Sequence, residues 1–200
     1  MTKTTNISQS IETFDDYCAF IATMHLPRYA ELPHIDLYMD QLLTYLELHL
    51  RPLCQADEKL ITASMINNYV KQGIVPTPQA KRYGPNHVAY LIAICILKRS
   101  FSMQHIHQML DIQVQTHDLS SAYDFLCTTF ELALQVLFND EVSEATLGSW
   151  GTREIEGYGS ILAPESVEYL TPVRRLALSS ISCAASKIYV EKCVEYAAWE

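Results

Sequence analysis

The chain has 200 residues, 49% hydrophobic and 18% charged, which is ample to bury a core and too apolar for a disordered polymer. No uncharged apolar run reaches the roughly 20 residues that a bilayer-crossing helix needs, so the composition predicts a soluble protein. The formal net charge of −9 argues against a nucleic-acid partner for the chain taken as a whole.

The opening segment, Met1 to Ser10, is polar and lacks the apolar stretch of a secretory signal, which predicts a cytoplasmic location. Ser10 is placed to cap a short helix reaching about Met24, because Ile11, Phe14, Cys18 and Ile21 recur at helical spacing. Pro27 and Pro33 bracket a connector. Asp36 is then placed to cap a helix whose inner side carries Met39, Leu42, Leu43, Leu46 and Leu50 and which stops before Pro52. The polar stretch Arg51–Leu60 reads as a loop.

Thr62 is a good N-cap for a brief helix over Ala63–Gln72, and Gly73 stands where a left-handed residue would end it. Met65, Ile66, Tyr69 and Val70 suit burial, which leaves Ser64, Asn67, Asn68 and Lys71 on the outer faces. Such side chains suit contacts to base edges or phosphates, so this helix is a candidate reader of a major groove. The segment Ile74-Val-Pro-Thr-Pro78 is extended, and the following Lys81-Arg82-Tyr83 resembles a small charged wing. Pro85, after Gly84, opens an almost wholly apolar helix to Lys98 that should form the centre of the core. Ser102 is placed to cap the next short helix, carrying Met103, Ile106, Met109 and Leu110. Ser120 or Ser121 opens a longer one through Phe138.

Four of the six glycines lie in Asn139–Ala163, which reads as a loop. Their spacing lacks the flanking strand and helix of a phosphate cradle. Pro164 can begin a short turn, and Pro172 begins a last long helix to about Trp199. The small residues of Ala177–Ser186 permit close helix contacts, and Ile181, Ile188 and Val194 lie near one side. The helix is therefore expected to help form a symmetric homodimer, with packing against Ser121–Phe138 as the alternative.

The six cysteines include no C-x-x-C pair and several fall in apolar helical patterns, so thiols acting as small hydrophobes are expected, with no metal and no other cofactor. His105 and His107 are two apart and face different sides of a helix, which suits neither a zinc pair nor a catalytic couple. The charge is lopsided. Residues 51–107 hold seven basic side chains (Arg51, Lys59, Lys71, Lys81, Arg82, Lys98, Arg99) against Asp57 and Glu58, a local +5 that leaves −14 elsewhere.

Two resemblances bear on these segments. Met65-Ile-Asn-Asn-Tyr-Val-Lys-Gln-Gly-Ile-Val-Pro-Thr-Pro78 is similar to the T-I-R-Y-Y-E-x-x-G-L-L-P-x-P of the MerR regulators. Lys81-Arg-Tyr83 matches their R-x-Y wing, and Ser100-Phe-Ser-Met-Gln-His-Ile-His-Gln-Met-Leu110 their G-F-S-L-x-E-I-x-x-L-L. Asn67 stands where that family has a phosphate-contacting Arg, and Asn68 where it has Tyr; Tyr69 is retained. The segments Leu26–Pro33, Ile35–Gln41 and Met65–Lys71 resemble the bacterial domain-of-unknown-function family 1836, over roughly residues 26–138.

The resemblances imply a mainly α protein with a MerR-like winged helix-turn-helix. Its expected division is an N-terminal helix and connector over 1–30, the winged domain over 31–112 and a C-terminal helical region over 113–200. The leading expectation is a transcriptional regulator that binds double-stranded DNA through Thr62, Ser64, Asn67, Asn68, Tyr69, Lys71, Lys81, Arg82 and Tyr83. The alternative is the same fold used as a protein-interaction adaptor, and no residue set at interpretable spacing points to an enzyme. Nothing in the sequence selects an effector.

Overall fold

Residues 11–139 and 171–197, which the computed structural model describes, contain seven α-helices and no strand. They are α1 (Phe14–Thr23), α2 (Met39–Leu50), α3 (Ala63–Lys71), α4 (Pro85–Leu97), α5 (Met103–Thr116), α6 (Leu119–Leu137) and α7 (Pro172–Glu195). Single 3₁₀ turns at Tyr29–Glu31 and Arg51–Leu53 complete the list of elements. None of the described helices is long and apolar enough to cross a membrane. Ser10, the Gly-rich stretch after Asn139, Pro164 and Trp199 lie outside the described residues.

The caps explain most helix starts. Thr13 begins α1 through a capping box: its hydroxyl accepts from Asp16 N–H at 3.1 Å, and the Asp16 carboxylate accepts from Thr13 N–H at 3.0 Å. Thr62 caps α3 and Ser102 caps α5, as the sequence predicts. Two other expectations are corrected. Asp36 does not cap α2; Tyr38 takes the N-cap position, and Gln41 accepts its N–H at 2.9 Å. The displacement has a cause, because Leu37 is locked in extended backbone by two 2.9 Å bonds exchanged with Tyr83. Likewise Asp118, not Ser120 or Ser121, caps α6, accepting from Ser121 N–H at 2.9 Å and from the Ser120 hydroxyl at 2.5 Å. These bonds hold the Asp118 carboxyl well below the usual carboxylate range.

The expected wing strand is absent among the described residues. In its place stand two isolated antiparallel bridges, Leu37 to Tyr83 and Gln79 to Arg82. The seven residues 72–78 between α3 and the turn include Pro76 and Pro78, which have no N–H for a ladder, so the hairpin shrinks to its tip.

α4 is the axis of the core, with nine of its thirteen residues buried, among them Val88, Leu91, Ile92 and Ile94 at 0% exposure. α2 lays Leu42, Leu46 and Leu50 against it. α7 packs chiefly on α6. Its buried positions Leu178, Ile181, Ala185, Ile188 and Lys192 alternate three and four apart, a seam that a helix keeps toward one partner. Ala184 and Ala185 are fully buried. Ile181 and Ile188 are thereby inside the protomer, while Leu176, Val190 and Val194 stay exposed. One cluster of buried side chains runs from Tyr17 in α1 to Ile188 in α7.

Candidate functional site

α3 is short and depends on its ends and one buried face. The Thr62 hydroxyl accepts from Met65 N–H at 3.2 Å. At the other end Gly73 has φ +73°, Ile74 N–H reaches the Tyr69 carbonyl at 3.0 Å and Gly73 N–H reaches Val70 at 3.0 Å. This is a Schellman motif, and the buried Ile74 supplies its apolar contact. Ile66 and Tyr69 anchor the helix in the core, with Met65 and Val70 packed partly against it.

The opposite face carries Ser64, Asn67, Asn68 and Lys71, all exposed. No hydrogen bond or ion pair with another described residue engages these four side chains. The structure thus places five of the nine residues expected to touch DNA on one helix and brings four of them together on its exposed face. Thr62 is half-buried with its hydroxyl committed to the cap. Tyr69 and Tyr83 are buried to 5% and 4% exposure, and burial pushes both phenols above their usual range. They position α3 and the following segment rather than face solvent.

Lys81 and Arg82 occupy a tight turn. Arg82 N–H bonds the Gln79 carbonyl at 2.9 Å, and both central residues, Ala80 (φ +48°) and Lys81 (φ +61°), are left-handed. Positive φ at both positions is the signature of a type I′ hairpin turn, which favours Asn and Gly over alanine and lysine. Two side-chain-bearing residues held there mark a strained tip that projects its charges. Tyr38 is the participant that the sequence reading missed. The Arg82 guanidinium lies 5.0 Å from the Tyr38 ring centroid and donates to its hydroxyl at 3.0 Å, while Tyr38 stays 50% exposed. No local signal marks a pair 44 residues apart. Behind the turn, Gly84 lies so near Asp36 that an added Cβ would stand 2.8 Å from its carboxylate.

The seven basic residues of 51–107 divide by role. Arg99 has only 5% side-chain exposure and bridges Glu58, at 2.5 Å, and Glu191. Lys98 donates to the Leu60 carbonyl, and Arg51 donates to the carbonyls of Ala56 and Glu58 at 2.5 Å each. Arg51 is nonetheless exposed, as are Lys59, Lys71, Lys81 and Arg82. The local +5 is therefore only partly a surface property.

Other chemistry-bearing groups are dispersed. All six cysteines are free, and burial pushes the thiols of Cys95 and Cys127 up to about 12. His87 accepts from Gly84 N–H at 3.0 Å through Nδ1, and His107 stands 3.5 Å from Asp111 one turn on. Among the described residues no three His, Cys, Asp or Glu side chains gather as a metal site would require.

A family model described as "Domain of unknown function (DUF1836)" matches residues 27–126, half of the chain. The matched span runs from the connector after α1 into α6 and includes α3 and the Gln79–Arg82 turn. Comparison with curated proteins and with solved structures gives no match.

Proposed function

We propose, for a chain that belongs to the DUF1836 family, that residues 62–82 bind double-stranded DNA and that the protein is a non-enzymatic transcriptional regulator of MerR-like type. The observation that carries this reading is the outer face of α3. Four polar side chains stand exposed and uncommitted on a helix anchored from behind by Ile66 and Tyr69, with Lys81 and Arg82 on the turn that follows. A helix presenting amides and a lysine suits a major groove, where an Asn can pair with the adenine edge and a lysine can meet phosphate. The turn then acts as a minimal wing, its two cations reaching adjacent phosphates. Asn67, where MerR regulators carry arginine, shifts the helix from phosphate contact toward base contact.

The commitment of Lys98 and Arg99 to internal partners favours the adaptor reading as the second one, because it reduces the basic surface. One comparison separates them. Asn68→Ala is expected to change which duplex is preferred, by roughly 1–3 kcal/mol for a base contact. The double variant Lys81→Glu/Arg82→Glu is expected to weaken binding to every duplex alike. If a selection from randomised duplexes enriches no sequence, and Asn68→Ala changes nothing, the base-reading role of α3 is wrong.

A further inference from the structure

We infer that Glu191 and Lys192 of α7 are positioning residues for α3, holding from outside the family-matched span the loop that leads into it. This rests on the DNA-binding reading of α3 and concerns what sets the helix in place.

The loop between the 3₁₀ turn at Arg51–Leu53 and the Thr62 cap has no ladder of its own, so its course depends on bonds from elsewhere. Lys192 is 4% exposed, and its ammonium donates to the Cys54 carbonyl at 2.8 Å and to the Glu195 carboxylate at 2.8 Å. The Tyr17 ring lies 5.0 Å from that ammonium and the Tyr196 ring 5.9 Å. Next to it, Glu191 accepts from Arg99, which also grips Glu58 in the loop. Lys187 stands 3.6 Å from Glu191 on the same helix. Tyr17 adds a bond from its hydroxyl to the Pro52 carbonyl at 3.1 Å, and Lys98 holds the Leu60 carbonyl.

A buried ammonium is costly unless it is paired and bonded, and an apolar side chain of similar length would fill the same aromatic slot. A lysine kept there with a backbone carbonyl as acceptor specifies where that carbonyl sits. Cys54, Glu58 and Leu60 are thus fixed in turn, and the next residues are Ile61 and the cap. Through this chain α7, 138 residues away in sequence from Cys54, sets the approach of the reader helix.

The test uses the full chain and two variants, Lys192→Met and Glu191→Gln, at a temperature where circular dichroism shows each fully folded. The expected result has three parts. Amides of residues 54–62 exchange faster in the free protein. Affinity for a mixed-sequence duplex falls about threefold to tenfold, within the range of coupling through packed networks. The slope of affinity against salt stays at the unmodified value, because no phosphate contact is removed. Glu191→Gln is the decisive variant if Lys192→Met fails to fold. Unchanged loop exchange with affinity within twofold of the unmodified protein overturns the inference and leaves the DNA reading standing. An unmodified protein that binds no duplex refutes that reading and takes the inference with it.

Discussion

Glu131 lies deep in α6 with 11% side-chain exposure, and three donors converge on it. Leu26 N–H reaches it at 2.5 Å, and the Arg28 guanidinium at 2.8 and 2.5 Å through two nitrogens. Beside this, Tyr29 N–H bonds Asp124 at 2.6 Å and the Tyr123 hydroxyl bonds the Pro27 carbonyl at 2.8 Å. The connector 26–31 is therefore seated on α6 by polar bonds. Glu131→Ala strands a buried N–H and an arginine together, and the expected cost is about 3–5 kcal/mol, read as a lower urea midpoint. A cost under about 1 kcal/mol would show that water replaces the carboxylate. Pairs of this kind were not legible in the sequence, since nothing local links residue 28 to residue 131. The same holds for Arg99, whose two carboxylate partners, Glu58 and Glu191, lie 41 and 92 residues away.

At the scale of elements, local chemistry was readable and tertiary substitution was not. Thr62, Gly73, Pro85, Ser102 and Pro172 each sit at the helix end their residue type predicts, because caps and stops act over four residues. Asp36 failed as a cap because a distant partner, Tyr83, claimed the neighbouring backbone. The wing failed as a strand for a related reason: prolines removed the donors, and only the turn with its two bridges remained. The turn itself carries a testable strain. Alanine in the left-handed region costs about 1 kcal/mol relative to glycine, so Ala80→Gly is expected to stabilise the chain by up to about 1 kcal/mol. Gly73→Ala is expected to destabilise it by a similar amount, since Gly73 has open space around it and only its φ of +73° opposes a side chain. Thermal unfolding of both variants checks the opposite signs; a shift in the same direction contradicts the assignment.

For the whole molecule, α7 joins α1, α4 and α6 in one continuous set of buried side chains. Its small residues Ser180, Ala184 and Ala185 are buried, and the helix packs chiefly on α6. Overfilling this contact with Ala185→Leu is expected to cost roughly 1–3 kcal/mol and to lower a single cooperative transition seen alike by circular dichroism and tyrosine fluorescence. Two separated transitions would mean that α7 unfolds on its own. Of the three residues expected at a homodimer contact, Ile181 and Ile188 are buried within the chain and Val194 is exposed.

Charge at this scale opposes binding to DNA, with a formal −9 overall, so the exposed cations of residues 59–82 must act locally against that field. A fluorescence-anisotropy titration with a mixed-sequence duplex, at salt concentrations from about 50 to about 200 mM, tests the account most directly. With Lys71, Lys81 and Arg82 on phosphates, affinity is predicted to fall with a log–log slope of about −2.7, and the Lys81→Glu/Arg82→Glu variant to flatten it. No binding near 50 mM salt, or a slope that the double variant leaves unchanged, would contradict it.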